Sequence, residues 1–203
     1  MKKIVLCTML LVFLLMAAGC SKKEIFITAE DITTDTMLVK RNGELQVAIV
    51  EDFEKPYYKL SELEEFVSKE INAYNEKAGG EEVKIDDLGL KDNKAVMVLK
   101  YTKMAHYSTF NNMPAAYFSA DTDNVALELP DQYINAKNDS VVDKSTAFKN
   151  GKNKVLVLYE PYEIIVDGKV RYYSKNVTKT TDALGDTVLT SDGDTAVVIF
   201  TPY

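Results

Sequence analysis

The sequence predicts an α+β fold: a mostly antiparallel β-sheet with one main amphipathic helix, at about residues 62–78, packed on a face. Two observations carry this prediction. Short apolar or alternating segments recur between turn dipeptides such as Asn42-Gly43 and Asp167-Gly168, which is typical of antiparallel strands. One longer segment has apolar residues at helical spacing and ends at Gly79-Gly80, where glycine favours the left-handed conformation that terminates helices.

The first 19 residues have the composition of a signal peptide. Lys2 and Lys3 precede an apolar run from Ile4 to Ala18, which is shorter than the ~20 residues that a membrane-spanning helix needs. A permanent N-terminal transmembrane anchor is the alternative that this segment leaves open.

The end of this segment, Ala17-Ala18-Gly19-Cys20, resembles the lipobox of bacterial prolipoproteins. The resemblance covers residues 1–20 only. It implies cleavage before Cys20, a diacylglyceryl group with palmitate-type chains on that cysteine, and a place on the extracytoplasmic face of the cell membrane. Two acyl chains at one residue would give a durable anchor, because a single chain binds a membrane only marginally.

The mature chain is then predicted to be a short tether followed by one extracytoplasmic domain. Residues 20–24 would be the lipidated N-terminus and tether, and residues 25–203 the domain, with a possible subdivision around 103–150. Removal of Lys2 and Lys3 leaves 22 basic against 31 acidic residues, a formal charge of −9. Such a chain is unsuited to nucleic acid, whose phosphates need basic partners, and is repelled by anionic lipid. Only Cys20 remains as a cysteine, so no disulfide is expected.

Residues 36–40 and 44–50 are predicted to form a hairpin, because they flank Asn42-Gly43, a dipeptide favoured in type I′ turns. Alternation in the second arm predicts one face toward the core and one toward water, with Leu45, Val47 and Ile49 set against Glu44, Gln46 and Ala48. The helix is expected to begin with a capping box of Ser61 and Glu64. Its apolar stripe consists of Leu63, Phe66, Val67, Ile71 and Tyr74.

Further strands are predicted where short apolar runs follow polar turns. They cover residues 82–90, 94–101, 154–159, 163–166, 170–173 and 195–200, with 163–166 and 170–173 forming a hairpin about Asp167-Gly168. Three stretches resemble one another, at residues 93–101, 153–159 and 194–200. The resemblance is interpreted as the shared chemistry of central strands rather than an ancient repeat.

Between residues 102 and 152 the apolar periodicity weakens. One or two helical turns are expected at 104–110, a short strand or helix at 125–129, and a brief element near Val141-Val142. A connection this long inside a domain is either functional or contains elements that the pattern does not reveal.

Few catalytic or metal-binding schemes fit these residues. His106 is the only histidine, which is too few for a zinc site, and a lone histidine is expected to pack or form hydrogen bonds. The sequence contains no phosphate-loop, serine-elbow or dinucleotide-binding motif. Residues 121–124 begin like a calcium loop, but Ala126 and Gln132 stand where glycine and a bidentate glutamate are needed. We therefore predict no metal and no cofactor.

The strongest candidate for a binding surface is an aromatic-rich segment between residues 101 and 118. Its candidate contact residues are Tyr101, His106, Tyr107, Phe110, Tyr117 and Phe118. Tyrosine combines an apolar ring with a polar tip, which suits ligand pockets and protein interfaces. The alternative is that these rings complete the core beneath a long loop.

Together these features favour a membrane-anchored lipoprotein that is a non-catalytic binding module for a small molecule, a glycan or a protein partner. One alternative is a cell-envelope hydrolase, which needs two carboxylates facing each other in a cleft lined by these tyrosines. Another is a structural subunit of an envelope assembly, which predicts a stable oligomer and a large apolar surface patch.

Overall fold

The computed structural model describes residues 24–122, 127–181 and 187–203. In chain order, the strands of these residues are β1 (Thr36–Val39), β2 (Leu45–Asp52), β3 (Val83–Lys91), β4 (Lys94–Tyr101), β5 (Ala115–Ser119), β6 (Gln132–Asn135), β7 (Val141–Asp143), β8 (Lys154–Leu158), β9 (Glu163–Val166), β10 (Gly168–Tyr173), β11 (Val177–Thr181), β12 (Thr187–Ser191) and β13 (Ala196–Pro202). The helices are α1 (Leu60–Ala78), α2 (Met104–Asn111) and α3 (Lys144–Ala147). The predicted α+β class is therefore confirmed.

The strands form two sheets that share a core. The first has the order β11-β12-β9-β1-β2-β4-β3, and the second has the order β5-β8-β13-β10-β6-β7. Their pairings are antiparallel except for β1 with β9. One apolar cluster joins the sheets, since Met37, Val47 and Leu99 of the first lie in it with Val198 and Phe200 of the second.

The hairpin of β1 and β2 is confirmed, but its turn is not the predicted one. A type I′ turn needs two central residues with positive φ, and here Gly43 (φ 87°) has a positive φ while Asn42 does not. The Gly43 N–H donates to the Lys40 carbonyl at 2.9 Å, and the Lys40 N–H donates to the Glu44 carbonyl at 2.9 Å. This is a three-residue loop that ends in a left-handed glycine.

The prediction that β2 has one face in water is wrong. Residues 25–32, here called the N-terminal strip, cover the outer face of the first sheet, where Ile27, Ala29 and Ile32 pack against Ala48. Gln46 is buried there, and its Oε1 accepts from the Ile27 N–H of the N-terminal strip at 3.1 Å. Its Nε2 donates to Oδ2 of Asp86 on β3 at 2.6 Å and to the Ile27 carbonyl at 3.4 Å. Gln46 therefore binds the N-terminal strip instead of facing water.

Helix α1 ends where predicted and begins differently. Gly79 has φ 78°, and its N–H donates to the Asn75 carbonyl at 2.9 Å. The helix begins at Leu60, after Lys59, and no side chain caps it, so the Ser61–Glu64 capping box is wrong. Ile71 is buried and Leu63, Val67 and Tyr74 pack on the shared core, whereas Phe66 of the predicted stripe is 64% exposed.

The chain passes from the first sheet to the second at Asp167-Gly168. Strand β9 lies in the first sheet and β10 in the second, so the hairpin predicted at this dipeptide is wrong. Gly168 instead allows the chain to pack closely against Phe200 and Thr201 of β13. A Cβ at Gly168 would lie 2.6 Å from both the Thr201 carbonyl oxygen and the Phe200 ring.

The weakly patterned segment from 102 to 152 contains α2, β5, β6, β7 and α3, so the expected helix and the element near Val141-Val142 are confirmed, while β5, β6 and α3 were missed. Of the element expected at 125–129, residues 125 and 126 lie outside the described residues, and 127–129 are irregular. The three similar stretches correspond to β4, β8 and β13, which all have a strand on each side, as central-strand chemistry predicts. Across the described ranges, none of the helices combines the length and apolarity that a membrane crossing would need.

Candidate functional site

The six aromatic-segment candidates occupy three different environments. Tyr101 and Tyr107 are only 1% and 2% exposed, and their rings stack edge to face in the shared core, with centroids 5.4 Å apart. The Tyr101 hydroxyl accepts a hydrogen bond from Asn111 at 3.1 Å, and the Tyr107 hydroxyl lies 3.1 Å from that of Tyr162. Burial raises the pKa of both phenols. These two residues complete the core, as the alternative to a binding surface predicted for the aromatic segment.

Tyr117 and Phe118 point to opposite faces of β5. The Tyr117 ring packs on the shared core, 6.2 Å from the Phe200 ring, and Phe118 packs with Val155 and other residues on the outer face of the second sheet. Among the described residues the buried Tyr117 hydroxyl has no hydrogen-bond partner, and burial raises its pKa to about 12. The two side chains therefore do not form one surface.

His106 and Phe110 lie on the side of α2 that faces α1. Between the two helices is a groove of about 380 Å³, here called the helix groove. Its walls are Phe66, Val67, Glu70, Ala73, Tyr74 and Lys77 of α1 with Thr109 and Phe110 of α2. The α1 residues recur at intervals of three and four, so they form one stripe along the helix. The volume lies within the range of ~300–1,000 Å³ that small-molecule sites occupy.

A chain of hydrogen bonds fixes the Tyr74 wall of the groove. The Tyr74 hydroxyl lies 2.9 Å from Nδ1 of His106, and Nε2 of His106 lies 3.1 Å from Oε2 of Glu82. The Thr102 hydroxyl donates to the same Glu82 oxygen. With a neutral imidazole, Nε2–H donates to Glu82 and Nδ1 accepts from Tyr74. The lone histidine therefore forms hydrogen bonds, as expected, and orients a ring of the groove.

Aromatic packing and the end of α1 support this arrangement. The Tyr74 ring meets that of Phe110 edge to face at 5.4 Å, and Phe110 also contacts the buried Tyr101 ring at 6.1 Å. Asn75 ties the helix to β3, since its Nδ2 donates to the Val83 carbonyl at 2.8 Å and its Oδ1 accepts from the Val83 N–H at 3.0 Å. The groove wall is thus held by the core, not by a mobile loop.

Opposite charges lie along the rim of the helix groove. Glu70 and Lys77 are exposed and seven residues apart, which places them ~10 Å apart along the helix axis. Between them the lining is apolar apart from the Tyr74 and Thr109 hydroxyls. The arrangement matches a ligand that has an apolar body and polar or charged ends.

A second, polar cleft of about 700 Å³ lies elsewhere. Asp131, Asp143 and Asp194 line it together with Lys175. The hydrolase hypothesis needs carboxylates in a cleft lined by the candidate tyrosines, and none of the six aromatic-segment residues lines this one. In residues 24–122, 127–181 and 187–203, no set of three or more His, Cys, Asp or Glu side chains could hold a metal ion. Asp123 and Asn124 of the calcium-like stretch lie outside those ranges.

The sequence pointed to His106 and Phe110 but missed their partners. Tyr74 and Phe66 were assigned to the core by helical periodicity, and Glu82 carried no signal at all. Comparison of the chain with known protein families, with curated proteins and with solved structures finds no match.

Proposed function

We propose that this chain is a lipid-anchored extracytoplasmic protein that binds a ligand in the helix groove. The observation that carries the proposal is the groove itself: it has apolar rings, one of them fixed by a hydrogen bond to His106, and an acidic and a basic side chain on its rim. Such a site holds an amphipathic ligand and needs no catalytic group. Lipid on Cys20 would keep the site at the membrane surface.

The path of the N-terminal strip indicates which end of the protein faces the membrane under this proposal. Glu24 pairs with Lys40 at 2.8 Å, beside the β1–β2 turn, and Ile27 binds Gln46 near the start of β2. Cys20 is four residues before Glu24 and can lie no more than ~14 Å from it. The β1–β2 turn would therefore lie next to the bilayer.

The charges at this end of the protein occur in pairs. Three basic residues each contact an acidic one, in the pairs Lys40–Glu24, Arg41–Asp167 and Lys100–Glu44. The hydrogen bond from Lys100 lowers the pKa of Glu44, because the pair stabilises the ionised carboxylate. Local pairing reduces the repulsion from anionic lipid that the formal charge of −9 on the cleaved chain, without Lys2 and Lys3, would otherwise cause.

Metabolic labelling tests the lipid anchor. Cells that express the full chain are grown with an alkyne-bearing palmitate analogue, and the label on this protein is measured after coupling to a dye. Cys20→Ala should abolish the label. Cys7→Ala is the matched control and should leave it unchanged, because that cysteine lies in the segment that is removed. Label that persists on Cys20→Ala contradicts the anchor.

A thermal-shift screen tests the helix groove. The purified protein is heated with a panel of amphipathic metabolites and short peptides. A ligand at ~100 times its Kd adds ~2.7 kcal/mol to the free energy of unfolding, which raises the Tm of a domain of this size by roughly 5–11 °C. Phe66→Glu should remove the shift. Leu90→Glu is the matched control, because Leu90 is 57% exposed and lies outside the groove. A shift that survives in Phe66→Glu would place the ligand elsewhere.

A further inference from the structure

The loop between β2 and α1 carries an exposed group of aromatic rings. We call residues 53–59 the aromatic loop. The Phe53 and Tyr58 rings lie 5.1 Å apart, and the Tyr57 ring lies 5.0 Å from Tyr58, edge to face. Tyr57 is 68% exposed and Tyr58 44% exposed. The rings therefore form a small aromatic surface in solvent instead of part of the core.

The aromatic loop is ordered by its own contacts. The Phe53 N–H donates to the Asn93 carbonyl at 2.7 Å, which joins the loop to the β3–β4 turn. The Tyr58 N–H donates to the Lys55 carbonyl at 3.0 Å, and Lys59 pairs with Glu62 at 2.6 Å where α1 begins. A surface that is ordered before binding loses less conformational entropy when a ligand arrives.

The position of the aromatic loop excludes the membrane as its partner, an argument that rests on the proposed anchor. The N-terminal strip enters the protein beside the β1–β2 turn, and the loop follows Asp52 at the opposite end of β2. Strand β2 runs from Leu45 to Asp52, so these ends are ~23 Å apart. With lipid on Cys20, the aromatic loop points away from the bilayer and toward the envelope outside it.

The size of the aromatic surface limits the kind of partner. The exposed parts of Tyr57 and Tyr58 amount to on the order of 200 Å², whereas a stable protein–protein interface buries ~800 Å² on each partner. A sugar ring is a closer match, because it presents a flat face of C–H groups surrounded by hydroxyls. Tyrosine offers the complementary surface, an apolar ring face with a hydroxyl at its tip. The exposed side chains of Glu54 and Lys55 can accept from and donate to sugar hydroxyls.

We infer that the aromatic loop is a second binding site, separate from the helix groove, and that it takes a carbohydrate chain of the cell envelope. Tyr57 and Tyr58 stack on sugar rings, and Phe53 supports Tyr58 from behind. Together with the proposed lipid on Cys20, this would let one chain hold the membrane at one end and a glycan at the other.

Calorimetry on the full chain in detergent micelles tests the inference. The probe is a soluble β-1,4-linked N-acetylglucosamine tetramer, and retention on cell-wall glycan stripped of protein by protease is measured in parallel. The variant Tyr57→Ala/Tyr58→Ala should bind about tenfold more weakly or worse, as expected when aromatic anchors are removed. Tyr203→Ala is the control, because it removes a tyrosine that is similarly exposed. Circular dichroism of each variant establishes that the fold is retained.

Each outcome has a defined meaning. Binding that is lost in the double variant and kept in Tyr203→Ala supports the inference. If the unaltered protein binds neither glycan probe, or if the double variant binds as well as the unaltered protein, the inference is overturned. Retention only on cell wall that still carries its proteins would also overturn it, in favour of a protein partner. Cys20→Ala should lose membrane attachment and keep glycan binding, so failure of the anchor is distinguished from failure of the glycan site.

Discussion

Replacing Gly168 with alanine should destabilise the protein strongly, because the chain changes sheets at this residue. The new Cβ would lie 2.6 Å from the Thr201 carbonyl oxygen, 2.6 Å from the Phe200 ring and 3.1 Å from the Pro202 Cα, where ordinary contact begins at 3.4 Å. Relief requires a movement of roughly 0.8 Å by backbone that is paired in the β10–β13 ladder. Overpacking of this kind costs ~1–3 kcal/mol, and the rigid neighbours favour the upper part of that range.

Thermal and urea unfolding followed by circular dichroism would measure this loss. A cost of ~2–3 kcal/mol lowers the Tm of a domain of this size by roughly 4–12 °C. Gly80→Ala is the matched control, because its Cβ would meet only the flexible end of Glu82, at 3.2 Å. The reasoning is refuted if Gly168→Ala and Gly80→Ala unfold at the same temperature or urea concentration.

Three further outcomes are expected. Tyr117→Phe should leave the free energy of unfolding unchanged or raise it, because it removes a buried hydroxyl with no partner among the described residues. Tyr107→Phe should lower the free energy of unfolding by ~1 kcal/mol, because it removes the hydrogen bond to the Tyr162 hydroxyl. Equal urea midpoints for the two variants would contradict this. Alkaline pH should destabilise the protein, because the Tyr117 pKa is raised from 10.0 to about 12 in the folded state, so the unfolded chain releases this proton at lower pH. The free energy of unfolding should therefore fall as the pH rises from 10 toward 12. Tyr117→Phe should make this fall less steep when urea unfolding is measured across that range. Gln46→Leu should release the N-terminal strip and lower the free energy of unfolding by ~1–3 kcal/mol, because the Ile27 N–H and carbonyl lose their partner. The release would be seen as faster hydrogen exchange at the Ile27 amide, and unchanged exchange would show that Gln46 does not hold the strip.

Much of the fold followed from local sequence signals. The β1–β2 hairpin, the β3–β4 pair and the C-terminal end of α1 depend on residues close together in the chain, such as Asn42-Gly43 and Gly79. The helix at 104–111 was visible for the same reason. Predictions were wrong where a local sequence pattern is compatible with two different structures. Asp167-Gly168 suits a hairpin turn, but the strands on either side find partners in different sheets.

The candidate site was less accessible to sequence reasoning, because its parts are distant in the chain. Tyr74 and His106 are 32 residues apart, and nothing in either neighbourhood predicts their hydrogen bond. The two most buried tyrosines of the aromatic segment belong to the core, whereas Phe110 lines the helix groove and His106 forms a hydrogen bond with its Tyr74 wall. Helical spacing placed Phe66 and Tyr74 on one stripe without indicating that α2 would leave a groove beside it.

The sequence alone determined the α+β class, most of the strands that form the shared core and the end of the main helix, because apolar periodicity and turn glycines act within a few residues. Tertiary structure decided that the strands divide between two sheets, that residues 25–32 cover a face expected to be wet, and which aromatic rings are buried. Periodicity shows which side chains share a face, but burial depends on what packs against that face, and that partner is set by contacts between residues distant in the chain.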